Sequence, residues 1–320
     1  MFLKVEFCIV SNSVNFPNKF FVPSSPVASW SGLVAVLYAA AFASLLSVMW
    51  VLVRKLSTNI HPLEITFWGN FFGLLTFLPT VIRNGRSVFR TDRIGLHFVR
   101  AIFNGSAILA WFCALPLVPL ADATALNLFA PLLITLGAIF FFKERVGPRR
   151  WMALGFGGLG ALVLVRPGFQ ELDLGLTLVW VTNLFSAAQR LISKSLVKTD
   201  TSITCVVYLM LFMVPVTFIP SIFVWTQPTL IEFGILALIG MLLATAHFAW
   251  MKALTLADIS ALEPVNFIRL VWGALFGFAF FAEVPTVWTW VGGLMIITST
   301  TYIARREAAL RTDKFSVPTA

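Results

Sequence analysis

Long apolar runs, separated by short charged or proline-containing segments, follow one another along most of the chain. A membrane-spanning helix needs about 20 mostly apolar residues, and most of the runs approach this length. The pattern therefore predicts an all-α integral membrane protein with ten transmembrane helices. The predicted spans are residues 30–53, 63–82, 94–115, 121–142, 151–166, 173–195, 202–225, 230–252, 257–281 and 286–304.

The amino-acid composition supports a membrane protein. Hydrophobic residues make up 59% of the chain and charged residues only 12%, whereas soluble domains contain about 45–50% and about 25%. So few polar side chains cannot cover a folded surface in water, which excludes a soluble enzyme, a disordered chain and a coiled coil.

The net charge of +9 reflects the distribution of basic residues between the spans. With a cytoplasmic N-terminus, seventeen of the 23 Lys and Arg residues fall in cytoplasmic segments and three in the opposite loops. This asymmetry is typical of membrane proteins and predicts that both termini are cytoplasmic. The basic residues form no patch, so no nucleic-acid partner is expected.

An internal repeat divides the predicted spans into two sets of five. Eight of twelve aligned positions are identical between segments 111–115 and 120–126 and segments 250–254 and 256–262, at offsets of 136 to 139 residues. Since five is an odd number, the second set must cross the membrane in the opposite sense. Inverted repeats are a recurring plan of secondary transporters, which bind substrate between the halves.

The repeat predicts four parts of the chain. Residues 1–29 are expected to be a disordered N-terminal extension, because Lys4 and Glu6 interrupt its apolar start and no signal-peptide cleavage site follows. The first five-helix repeat is predicted at 30–168, the second at 169–306 and a cytoplasmic tail at 307–320.

Polar residues inside the third span are candidates for a binding site. Arg100, Asn104 and Trp111 share one helical face. A charge at the bilayer centre costs about 2.5–3.5 kcal/mol on insertion scales, so such residues usually face a cavity or a partner. Because Arg100 lies near the cytoplasmic end, its guanidinium reaching the lipid headgroups is an equal alternative.

The ninth span contains the densest polar cluster. Glu263, Asn266 and Arg269 lie at steps of three residues on one side of a helix, and Pro264 removes a backbone hydrogen bond there. Irregular backbone at that depth is tolerated against protein or a water-filled cavity. Glu263 could bind a substrate or a proton, or pair with Arg269 in a purely structural role.

Three further residues complete the predicted binding site. His247 and Trp250 lie one turn apart in the eighth span, and Asn127 occupies the repeat position equivalent to Glu263. Asn70 and Gln189 are interpreted instead as interhelical hydrogen-bonding residues.

No motif in the sequence predicts catalysis or a cofactor. Gly155, Gly157 and Gly160 match a dinucleotide-binding pattern, but no strand precedes them, so they are interpreted as small residues for helix packing. The same interpretation covers Gly69 with Gly73 and Gly273 with Gly277, for which packing inside the bundle is preferred to a dimer contact. Paired intramembrane aspartates, an HExxH motif and a Walker loop are absent, and no metal site is expected.

Several short motifs resemble the EamA domain of the drug/metabolite transporter superfamily. In the first half they are Ala121 to Leu126, Lys143 to Gly147 and Arg166 to Gly168, and in the second Phe267 to Arg269, Phe281 to Pro285 and Tyr302 to Glu307. The resemblance implies a bacterial inner-membrane transporter of small organic solutes that works by alternating access. The sequence around His61 to Glu64 is similar to the S-adenosylmethionine uptake branch.

The sequence thus predicts a secondary transporter of small organic metabolites, with S-adenosylmethionine or riboflavin-like uptake as the alternative. A non-transporting membrane scaffold is the alternative of another class. Protons are a candidate coupling partner, and both a monomer and a homodimer stay open.

Overall fold

The computed structural model describes residues 30–142, 148–165, 173–257 and 262–315, and within these ranges it contains helices and no strand. The helices are α1 Trp30–Leu56, α2 Pro62–Asn84, α3 Ile94–Ala114, α4 Leu120–Asn127, α5 Ala130–Phe142, α6 Pro148–Val165, α7 Leu174–Leu196, α8 Ser202–Ser221, α9 Leu230–Leu256, α10 Ile268–Phe281 and α11 Val287–Phe315. Short 3₁₀ helices occupy Gly85–Phe89, Ile222–Val224 and Glu263–Phe267.

Helix starts follow capping residues that the sequence supplies. Thr201 precedes α8, and its hydroxyl accepts a hydrogen bond from the N–H of Thr204 at 3.2 Å. Thr229 and Glu232 form a reciprocal capping box at the start of α9. Each cap satisfies backbone N–H groups that a helix N-terminus leaves without an intrahelical partner.

Five of the described helices, α1, α2, α3, α8 and α9, are long and apolar enough to cross a membrane. Three shorter apolar stretches lie at Leu120–Leu136, Trp151–Val165 and Val265–Phe281. These are parts of the predicted fourth, fifth and ninth spans.

The predicted fourth span over 121–142 is interrupted in the structure. Helix α4 ends at Asn127 and α5 begins at Ala130, with a tight turn between them. In that turn the N–H groups of Leu128 and Phe129 bond carbonyls three residues back. Pro131 has no N–H to donate to the carbonyl of Asn127, which favours a break at this point.

The ninth span is also interrupted. Glu263–Phe267 forms a 3₁₀ helix, and α10 begins only at Ile268. Residues 258–261 lie outside the described part of the chain. The break falls at the repeat position equivalent to the turn between α4 and α5.

Helices before residue 166 pack mainly against helices after residue 173. Helix α1 packs against α9 and α3 packs against α7. Helix α2 packs against both α8 and α9, and α3 also packs against α8. Helices α4 and α10, and α6 and α11, form further pairs. Because the two parts of the chain pack against each other, residues from both can contribute to a cavity between them.

Small residues allow two of these helix pairs to approach closely, as the sequence predicts. A Cβ atom on Gly160 of α6 would lie 2.7 Å from the Cβ of Met295 and 2.9 Å from the carbonyl oxygen of Gly292, both on α11. On α2, a Cβ on Gly73 would lie 3.2 Å from the carbonyl oxygen of Gly240. Packing inside the bundle is therefore confirmed for these glycines.

We expect Gly160→Ala to lower the melting temperature of the detergent-purified protein, with a cost of about 1–3 kcal/mol, because the added methyl meets atoms tied to the backbone of α11. Gly158→Ala is the matched control, since a Cβ there meets nothing within 4 Å. That variant should unfold at or above the parent's temperature. Equal melting temperatures for both variants would contradict the close approach of α6 and α11.

Candidate functional site

A cavity of about 90 Å³, part of it open to solvent, lies between six helices. Its wall combines aromatic, aliphatic and polar side chains. The lining residues are Phe42, Leu46, Met49 and Trp50 of α1; Arg100, Asn104, Ala107, Ile108, Trp111 and Phe112 of α3; Asn127 of α4; Thr182, Ser186, Gln189 and Arg190 of α7; Leu243, His247 and Trp250 of α9; and Arg269 of α10.

Seven of the nine site residues predicted from the sequence line this cavity. They are Arg100, Asn104, Trp111, Asn127, His247, Trp250 and Arg269.

The other two predicted residues do not appear in the wall. Asn266 is buried behind it, with 1% of its surface exposed, and its backbone carbonyl accepts a hydrogen bond from Nε of Arg269. Glu263 begins the 3₁₀ helix, but its side chain lies outside the described part of the structure.

Arg100 is enclosed by protein and does not reach toward a lipid headgroup. Only 1% of its surface is exposed. Its Nη1 donates to the carbonyl oxygen of Cys205 at 2.9 Å, and Nη2 lies 3.7 Å from the sulfur of Met251. Among the described residues, Nε has no hydrogen-bond partner. The structure thus favours the cavity alternative for this side chain.

Arg269 connects the two helix breaks. Its Nη1 donates to Oδ1 of Asn127 at 3.4 Å, and Asn127 is the last residue of α4 before the turn. Its Nε donates to the carbonyl of Asn266, in the 3₁₀ helix, at 3.3 Å. The guanidinium therefore contacts both interrupted segments from a position in the cavity wall.

Aromatic rings form much of the remaining wall. The rings of Trp50 and Trp111 lie 4.7 Å apart at a tilt of 56°, and those of Phe42 and Trp250 lie 4.9 Å apart. The indole N–H of Trp111 has no hydrogen-bond partner among the described residues. These rings offer flat surfaces for stacking, and the N–H offers a donor.

The sequence interpretation missed the contribution of α7. Gln189 was predicted to join helices, yet it lines the cavity beside Arg190. The guanidinium of Arg190 lies 5.8 Å from the ring centroid of Trp250. Both residues lie near the predicted cytoplasmic end of the sixth span, so they were not assigned to the binding site. An arginine inside a span nevertheless indicates a functional site.

Asn70 lies outside the cavity lining, and its hydrogen bond differs from the predicted one. Its Nδ2 donates to the carbonyl of Thr66, one turn earlier in the same helix, at 2.8 Å. This contact is within α2, whereas the prediction was for a contact between helices.

The described wall is positively charged. Arg100, Arg190 and Arg269 contribute three guanidinium groups, and no Asp or Glu occurs among the described lining residues. No group of three His, Cys, Asp or Glu residues in the described ranges is placed to hold a metal ion. The chemistry of this wall is recognition by charge, hydrogen bonding and stacking.

Polar contacts join the two parts of the chain at one end of the bundle. Glu283 contacts the guanidinium of Arg54, and its second oxygen accepts from the N–H of Leu120 at 2.8 Å. Glu64 accepts hydrogen bonds from the N–H and the hydroxyl of Thr226, at 2.8 and 2.7 Å.

A second set of contacts holds the opposite end. Nε2 of His97 lies 2.7 Å from a carboxylate oxygen of Asp200, and Thr91 donates to the same oxygen at 2.9 Å. Arg93 donates to the hydroxyl of Ser195 at 2.9 Å. The cavity residues therefore lie between two sets of cross-chain contacts.

Comparison with known proteins identifies the family. The EamA-like transporter family matches residues 30–166 and again 173–305. The chain belongs to this family. It is accordingly a multi-pass membrane protein of the drug/metabolite transporter superfamily, as its sequence motifs predict.

Similar proteins include transporters with different named solutes. A riboflavin transporter of Rhizobium johnstonii is 30% identical over 273 residues, which cover 85% of this chain and 90% of the relative. An S-adenosylmethionine uptake transporter of Rickettsia bellii is 25% identical, with 82% and 91% covered. A pseudopaline exporter of Pseudomonas aeruginosa is 25% identical, with 86% and 96% covered.

A crystal structure of a protein with the same fold is 18% identical to this EamA-family chain. The superposition has a TM-score of 0.59 and covers 88% of this chain and 99% of the other.

Proposed function

We propose that this EamA-family protein is a secondary transporter that carries a small organic solute across a bacterial inner membrane by alternating access. The observation that carries the proposal is the central cavity, whose wall buries polar and cationic side chains from both parts of the chain. Polar groups at that depth cost free energy unless they serve a cavity or a partner.

The proposed architecture is ten spans in two inverted five-helix repeats, at 30–168 and 169–306, with both termini cytoplasmic. Its support is the pairing of the helices. Helix α1 of the first repeat corresponds to α7 of the second, and α3 corresponds to α9. The contact of α1 with α9 is therefore equivalent to the contact of α7 with α3, as expected for a two-fold axis in the membrane plane. Residues 1–29 and 307–320 would then be a cytoplasmic extension and a cytoplasmic tail.

The two helix breaks support a binding role for the cavity. In transporters with inverted repeats, interrupted helices face each other near the midplane and present backbone groups to the substrate. Here Arg269 contacts both breaks from the cavity wall. The predicted substrate-binding residues therefore include Arg100, Asn104, Trp111, Asn127, His247, Trp250 and Arg269.

The solute is proposed to be an amino acid, vitamin or related metabolite. The relatives named for riboflavin, S-adenosylmethionine and pseudopaline support a solute of this size. A wall of mainly apolar and aromatic side chains with a few polar groups pointing inward is usual for small-molecule sites.

The test is solute exchange by purified protein in proteoliposomes loaded with a mixed metabolite pool, followed by mass spectrometry in both directions. Saturable movement of one compound class, absent from protein-free liposomes, is the expected result. No movement of any solute, with or without a pH gradient, would favour a membrane scaffold instead.

Trp111→Phe is expected to weaken binding of the transported solute about 3- to 10-fold, because the ring is kept while the unpartnered indole N–H is lost. Competition binding to the purified protein measures this change. Trp180→Phe is the control, because Trp180 packs against Phe129 and is not part of the cavity wall. Unchanged affinity in Trp111→Phe would exclude a hydrogen bond from this indole to the solute.

We also propose that Glu263 couples transport to protons, which Glu263→Gln tests. A carboxyl group can exchange a proton during the transport cycle and an amide cannot, so uptake should depend on external pH in the parent and lose that dependence in the variant. Asp92→Asn, at an exposed position between α2 and α3, should keep the parent's pH profile. A Glu263→Gln protein with the parent's profile would remove Glu263 from the coupling mechanism.

A further inference from the structure

We infer that the cavity binds an organic anion, in which a planar ring system carries a carboxylate or phosphate group. This inference rests on the proposed transport function and specifies its substrate class.

The first step is the charge of Arg100. A guanidinium stays protonated in proteins, and 99% of this side chain is removed from solvent. Its contacts, a backbone carbonyl and a thioether, are neutral, and Nε faces no acceptor among the described residues. A buried charge is costly unless an opposite charge or several hydrogen bonds compensate it. An anionic group of the solute would supply Arg100 with an opposite charge and with hydrogen-bond acceptors.

The second step is the sign of the surrounding wall. Arg190 and Arg269 add two more guanidinium groups, and the described lining contains no carboxylate. In a low-dielectric cavity these charges act over longer distances than in water. They favour an anion over a neutral solute of the same shape and disfavour a cation.

The third step is the position of the rings. Arg100 and Trp111 lie on one face of α3, eleven residues apart, which corresponds to about 16 Å along the helix axis. Trp50 packs beside Trp111, while Trp250 lies next to Met251, the residue in contact with Arg100. Guanidinium groups lie beside these rings: Arg190 is 5.8 Å from the ring centroid of Trp250, and Arg269 is 5.8 Å from that of Trp50. Aromatic surface next to cationic groups fits a flat solute that carries an anionic group on its ring system.

The experiment uses pairs of flat solutes that differ in one anionic group. Nicotinate is compared with nicotinamide, riboflavin 5′-phosphate with riboflavin, and indole-3-acetate with the cation tryptamine. Binding to the detergent-purified full chain is measured by equilibrium dialysis. In each pair we expect the anion to bind at least about 10-fold more tightly, as for a hydrogen bond to a charged group.

Arg100→Gln identifies the group responsible. It should weaken binding of each anion at least about 10-fold more than binding of its neutral or cationic partner. Arg100→Lys keeps the charge without the planar fork and should retain part of the preference. If Arg100→Gln fails to fold, the lysine variant provides the comparison, and an undiminished preference in it for all three anions would assign recognition to the other arginines.

The outcomes separate the two proposals. Equal or tighter binding of the neutral and cationic probes overturns the anion site, and so does an Arg100→Gln variant that weakens both members of each pair equally. Transport of neutral or cationic solutes alone in the proteoliposome assay leaves the transporter proposal intact but overturns the anion site. Anion binding without movement of any solute supports the site and overturns transport.

Discussion

Arg269→Met is expected to reduce transport at least about 100-fold while leaving the protein folded. The substitution removes the donors to Asn127 and Asn266 together with one cation of the cavity wall. A hundredfold loss corresponds to about 2.7 kcal/mol, the size of a hydrogen bond to a charged group. Solute exchange in proteoliposomes, normalised to the amount of inserted protein, measures the effect.

The protein should stay folded, although its stability falls. Arg269 is 4% exposed, and its loss leaves Oδ1 of Asn127 and the carbonyl of Asn266 without this donor, at a cost of about 1–3 kcal/mol for each buried acceptor. The melting temperature should therefore fall, with unfolding still cooperative, and transport is compared at a temperature at which both proteins are folded. Arg305→Met, at an exposed position of α11, is the control and should transport normally. Transport near the parent's rate in Arg269→Met would show that contact between the two helix breaks is dispensable.

Much of the helical framework follows from the sequence because it depends on local signals. Apolar runs of spanning length predicted α1, α2 and α3 to within a few residues, since bilayer thickness fixes how long such runs must be. Thr201 and Thr229 mark the starts of α8 and α9 through caps that involve residues only three positions away. Such signals need no knowledge of the packed bundle.

The break between α4 and α5 shows where apolar periodicity fails. Residues 121–142 are mostly apolar, so hydropathy predicts one helix. Pro131 signals the break, but a proline can also kink a continuous membrane helix because neighbouring groups satisfy the freed carbonyl. Which outcome occurs depends on tertiary packing, here the contacts of α4 with α10 and α7.

The candidate site was predictable in part for a similar reason. Arg100, Asn104 and Trp111 share a face of one helix, so spacing alone brings them together. Arg190 and Trp50 come from other helices, and their place in the wall depends on how α7 and α1 pack against α3 and α9. Nothing local distinguishes Trp50 from an aromatic residue that faces lipid.

The contact of Glu283 with Arg54 and Leu120 depends on packing in the same way, and it lies at the predicted periplasmic end of the bundle. It joins the end of α1, the start of α4 and the segment after α10. Ala282 adopts a left-handed φ of 54°, and the N–H of Glu283 donates to the carbonyl of Gly277 at 3.0 Å. This helix C-cap fixes the direction of the carboxylate.

Glu283→Gln is therefore expected to open that end of the bundle about 10- to 150-fold more often. The amide has no charge and one acceptor oxygen in place of two, so it cannot accept from Arg54 and Leu120 through separate oxygens. The lost charge-assisted bonds contribute about 1.5–3 kcal/mol. Opening is measured as the rate at which a membrane-impermeant thiol reagent, added on the predicted periplasmic side, labels Ser186→Cys in the cavity wall. The background carries serine at Cys8, Cys113 and Cys205.

Glu232→Gln is the matched control at the same end. Glu232 also bonds a residue of the other half, Asn59, at 3.0 Å, but this contact is exposed to solvent. Exposed polar pairs contribute about 0–1 kcal/mol, so labelling should change less than about fivefold. Equal labelling of the parent and Glu283→Gln would show that this carboxylate stabilises the bundle without controlling access. Faster labelling only in Glu283→Gln would identify its contact with Arg54 and Leu120 as a gate between the two halves.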